Sequence, residues 1–268
     1  MPKLFRALSA VAAVAFPVSA FAYPGGTPSF VTDVGPYCAS CHSSVSAEQL
    51  RGAPEKRIQS ELVANKHLGK IEAAQPDGPY ANLTPAERAA LIGGIRAIDA
   101  ASRVEIVAPA SVKAGGLFEV TVTTTGGGGP VIGIALVDAA HRWQARPAPS
   151  AGWQIVREPR VLGTDGEPQT KFTSRRNPEL AAGISYVNVY GIESDPAAGE
   201  FASARVNYQL RAPLRPGRYP LGAVFLYGTE KGAPHGAVKE VWGKRPLGGF
   251  TGSSGRVSFS EVIEIEVR

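Results

Sequence analysis

The chain has 268 residues, a formal charge of +5, 44% hydrophobic and 19% charged residues, which excludes a disordered tail and a coiled coil. Glycine (31) and proline (22) together make up about a fifth of it, above average usage, so turns and strands are favoured over long helices. With two cysteines, a disulfide-dense scaffold is also excluded.

Residues 1–22 carry the pattern of a secretory signal peptide. Lys3 and Arg6 precede the apolar run Ala7 to Phe16, and Ala20-Phe21-Ala22 places small residues where a signal peptidase cleaves. The run is too short for a membrane span, and no later segment is long and apolar enough to be one. Cleavage leaves Tyr23–Arg268, and the loss of Lys3 and Arg6 lowers the charge from +5 to +3. That weak basic balance does not argue for nucleic acid. The expected location is the periplasm.

Next comes Cys38-Ala39-Ser40-Cys41-His42. Two thiols at this spacing reach the two vinyl groups of a haem, and the imidazole that follows can take the iron from one axial side. Both cysteines of the chain lie in this stretch, and covalent haem attachment takes place outside the cytoplasm, where a signal peptide would send it. A redox dithiol would want a βαβ setting, which the flanking sequence lacks. A zinc held by Cys38, Cys41, His42 and His67 has suitable ligand types, but adjacent Cys41 and His42 fit one tetrahedron poorly. A plain disulfide is the remaining alternative.

Residues 46–66 carry a loose helical stripe, Leu50, Ile58, Leu62 and Val63, interrupted by Pro54. A firmer helix starts at Thr84, with Pro85 at the first turn and Glu87 completing a capping box. Leu91, Ile95 and Ile98 then share one face. Gly93-Gly94 in that helix would each cost about 1 kcal/mol relative to alanine, so close packing against them is expected.

From Val104 the apolar period changes to two. Strands are expected at 117–124, 131–137, 153–156, 186–192, 204–210, 219–228 and 256–267, with Gly126–Gly129 as a flexible hairpin loop. The segment 105–268 has 18 basic and 15 acidic residues, no cysteine, and no arrangement resembling a nucleophile elbow. Trp143, Trp153 and Trp242 are expected in its core, and His141 and His235 at its surface or in hydrogen bonds.

Residues 23–103 resemble a monohaem class I cytochrome c, through the early CASCH and the late helix in LTPAERAALIGGIRAI. The resemblance implies one haem c, thioether bonds from Cys38 and Cys41, and His42 as the proximal iron ligand. Residues 104–268 resemble an immunoglobulin-like sandwich in strand pattern alone. The expected architecture is therefore two domains, a small all-α cytochrome domain (23–103) followed by an all-β sandwich (104–268) that folds by itself and docks a redox partner.

The family commonly places a methionine on the other side of the iron, but the sole methionine here is Met1, which leaves with the signal peptide. His67 is the second histidine of residues 23–103 and becomes the candidate distal ligand; water, Lys66, Lys70, Tyr80, an asparagine or a histidine of the later segment are alternatives. Two strong ligands would restrict the iron to carrying electrons, whereas an open position could bind a diatomic gas. The expected function is electron transfer rather than catalysis. A haem-based gas sensor and a haem subunit of a periplasmic redox complex are the alternatives.

Overall fold

The structure is a computed structural model that describes residues 67–76, 78, 80–138, 148–175, 183–230 and 254–268. Those residues form two α-helices and twelve strands. Helix α1 (Gly69–Ala73) is a single turn and α2 (Pro85–Ala101) is the long helix. The capping box of α2 forms as its residues dictate: the Thr84 hydroxyl accepts from the Glu87 backbone N–H, and the Glu87 carboxylate accepts from the Thr84 N–H at 2.9 Å. Among the described residues no helix is long and apolar enough to cross a membrane.

The strands form two sheets. The first has β1 (Arg103–Val107), β3 (Leu117–Thr125), β9 (Ser203–Arg211), β6 (Arg160–Leu162) and β7 (Pro168–Gln169) in that order, with β5 (Gln154–Ile155) also on β9. The second runs β2 (Ser111–Val112), β12 (Ile263–Val267), β10 (Gly217–Gly228), β4 (Val131–Val137) and β8 (Tyr186–Tyr190), with β11 (Gly255–Phe259) also on β10. All pairings are antiparallel except β12 with β2.

Alternation explains the first sheet. On β3 the residues Phe118, Val120, Val122 and Thr124 point inward, and on β9 Ala204, Val206, Tyr208 and Leu210 do the same, in a ladder from Leu117↔Arg211 to Thr125↔Ser203. Burying a side chain such as Val122 contributes about 1.5–3 kcal/mol. In the second sheet β4 and the second half of β10 are buried on both faces, which is why their sequences are continuous apolar runs. One core holds side chains of both sheets.

The expected architecture needs correction here. No small all-α domain is present among the described residues, which form a β-rich unit that α2 joins directly. The physical reason lies in what α2 buries. Its Ile95 packs with Leu68, Ile71 and Tyr80 in a small cluster, but Ile98, one turn on, enters the core of the two sheets. Ser102 closes the helix, and β1 begins at Arg103. The stripe that reads as a helix-bundle face is thus shared between a short helix and a sheet.

Two local expectations also change. Gly126–Gly129 is not a flexible hairpin loop: β3 and β4 belong to different sheets, and the four glycines are buried where the chain crosses between them. The Gly126 N–H donates to Ala202 O, that of Gly127 to the Ser102 hydroxyl, and that of Gly128 to Gly228 O. Gly129 has φ +77° and a Cβ there would run into the Ile192 carbonyl oxygen, so glycine is required.

By contrast, among the described residues nothing lies within 4 Å of a Cβ built on Gly93, and at Gly94 the nearest such atom is Pro196 Cγ at an ordinary 3.6 Å. Among the described residues the cost of Gly93 therefore meets no packing return. Gly93→Ala is expected to raise stability by about 0.5–1 kcal/mol, measured by chemical denaturation. A loss of stability would show a contact that this geometry lacks.

Candidate functional site

Cys38, Cys41 and His42 lie outside the described residues, as do Lys66, His141, His235, Trp143 and Trp242. His67 and Tyr80 lie within them, and both are buried, at 0% and 2% exposure. The structure brings them together with residues from the end of α2 and from the second sheet.

His67 starts the turn that leads into α1, and its two ring nitrogens meet opposite charges. Nδ1 lies 3.0 Å from a terminal nitrogen of Arg256, and Nε2 lies 2.8 Å from Glu230 Oε1. A guanidinium only donates, so Nδ1 accepts. The ring proton therefore sits on Nε2 and is donated to the Glu230 carboxylate. The Tyr80 hydroxyl, 3.0 Å from the same Nε2, donates to the same Oε1 at 3.0 Å. Thr229 donates to the other carboxylate oxygen at 2.8 Å.

Arg256, at the start of β11 and 0% exposed, is held on its other side by Asp99 of α2, with Nε 3.1 Å from Oδ1. Tyr227 of β10 donates to Asp99 at 3.1 Å. One carboxylate, Asp99, meets the guanidinium directly and the other, Glu230, lies across the His67 ring from it, and neutral donors share the negative charge: the His67 Nε2–H and the hydroxyls of Tyr80, Thr229 and Tyr227. Burial, reinforced by the neighbouring Glu230 carboxylate, pushes the Tyr80 phenol far above its ordinary range. Burial and the Asp99 carboxylate do the same to Tyr227. Both remain hydrogen-bond donors throughout the physiological range.

This arrangement binds the segment 67–101 to the β-structure. Among the described residues no group of three or more His, Cys, Asp or Glu side chains could hold a metal ion, and the central guanidinium would repel one. To bind an iron, His67 would have to surrender its bond to Arg256 or the one to Glu230.

The open cleft of about 420 Å³ beside β5 offers less chemistry: Arg211 is its charged residue, and the Trp153 indole N–H on its wall already donates to Pro220 O. Trp153 itself is 1% exposed and belongs to the core.

Of the network's members, sequence reasoning singled out His67 and Tyr80, though as candidate ligands. Asp99 was detectable, because it continues the i, i+4 row Leu91–Ile95–Asp99 with a charge on an apolar face. Arg256 and Glu230 carry no local signal. No family model matches the chain, and no curated protein matches it.

Proposed function

We propose that this chain is an exported monohaem c-type protein of the periplasm that carries electrons to or from a redox partner protein, its β-structure providing the docking surface. The observation that carries this reading is Cys38-Ala39-Ser40-Cys41-His42 in a chain that begins with a signal-peptide pattern. The donor set suits haem c: two thiols spaced for two vinyl groups, and an imidazole directly after them. Cys38 and Cys41 would hold the cofactor covalently, which keeps it with an exported chain when free haem is dilute. His42 would donate its imidazole to the iron. Haem c, when bound, supplies a one-electron Fe(III)/Fe(II) couple at a single centre, which is the chemistry of a carrier.

Denaturing gels of the full chain, matured in a host that attaches haem, are expected to show a haem-stained band, and Cys38→Ala with Cys41→Ala should abolish it. Haem that acid-acetone extracts from the native protein would refute the assignment. Reversible reduction without turnover of a substrate, and co-purification with an oxidoreductase, would support the carrier role.

A further inference from the structure

Resting on the haem reading above, we propose that His67 and Tyr80 are latch residues rather than iron ligands. Together with Arg256, Glu230 and Asp99 they fasten the segment that follows the haem-attachment motif onto the β-structure. The sixth position of the iron then falls to some other group.

A histidine ligates through an unprotonated nitrogen whose lone pair points into open space. The one unprotonated nitrogen of His67 is Nδ1, and its lone pair points at the Arg256 guanidinium 3.0 Å away. The other nitrogen carries the proton donated to Glu230 at 2.8 Å. Turning the ring to present either nitrogen elsewhere would take one hydrogen bond from a guanidinium and one from a carboxylate, in residues that are 0% and 8% exposed. Tyr80 is committed in the same way, since a phenol must lose its proton to bind ferric iron well, and this one donates that proton to Glu230.

The latch also joins what sequence separates. His67 and Tyr80 precede α2, Asp99 lies near its end, and Glu230 and Arg256 belong to the second sheet's end of the chain. One guanidinium thus holds both ends of the helical segment. A ligand role for His67 would release one of those ends.

The test uses the full-length protein with haem attached, comparing wild type, His67→Ala and Arg256→Gln by optical and electron paramagnetic resonance spectra and by thermal melting. The expected result is that all three share one iron spin state and one Soret position, while both variants melt about 10 °C lower. Conversion of a low-spin wild type to high-spin iron in His67→Ala would overturn the proposal. If His67→Ala does not fold, Arg256→Gln decides. A lower melting point with an unchanged spectrum supports the latch, and an unchanged melting point or an altered spectrum defeats it. Failure of the haem reading is separately visible, as a chain without a haem-stained band.

Discussion

Replacing Arg256 with alanine is expected to destabilise the fold by about 3–5 kcal/mol, because it removes one partner of a buried ionic network and leaves the others in place. Asp99, with a side chain 22% exposed, would recover some solvation, but Glu230 at 6% would not. His67 Nδ1 would lose its donor in a fully buried site. The effect therefore exceeds the value of the Arg256–Asp99 pair alone. Arg256→Met combined with Asp99→Leu is expected to recover part of the loss, since neutral side chains of similar volume avoid the stranded charge. Urea denaturation of the single and double variants measures both. A cost below about 1 kcal/mol for Arg256→Ala would mean that water reaches this cluster.

Trp153→Ala is the second large expected effect, at about 3–5 kcal/mol for the loss of a buried indole. Trp153 bridges the two sheets at one end of the core. Its ring lies edge-on to Phe118 of β3 at 5.3 Å and to Tyr219 of β10 at 5.7 Å, and its N–H donates to Pro220 O at 2.9 Å. Trp153→Phe keeps most of the apolar contact and gives up the hydrogen bond, so its cost should be near 1 kcal/mol. Equal losses in the two variants would assign the energy to the N–H rather than to packing.

The strands that sequence reasoning located best are those with the simplest environments. β3 and β9 alternate because one face meets the core and the other meets water, and β4 is an unbroken apolar run because both of its faces are covered. β6 and β7, of three and two residues, are too short to show any period. The expected single strand at 256–267 is two: β11 pairs Val224↔Phe259, β12 pairs Leu221↔Ile263, and Ser260 between them accepts the Ala223 N–H. That offset depends on the partner strand, which no local pattern records.

Gly126–Gly129 misled for a related reason. Four glycines in a row look free, yet each carbonyl or hydroxyl that receives their N–H groups comes from a distant part of the chain. The latch was illegible in the same way. Its chemistry comes from placing a histidine, a tyrosine, two carboxylates and an arginine in one dry site, and only Asp99 carries the requirement in its own neighbourhood.

The separation of the latch residues along the chain has a consequence for folding order. His67 and Arg256 stand 189 positions apart, and His67 and Glu230 stand 163 apart. Synthesis delivers the first of each pair long before the second, so α2 can form early from its own capping box while its attachment must wait for β11. Contacts of such range place this fold among the slow, non-local topologies. Until the last strands pair, Ile98 and Asp99 have no seat, and the segment from His67 to α2 stays unfastened. Chain that is cut short before residue 256 would keep the helix and lose its anchorage.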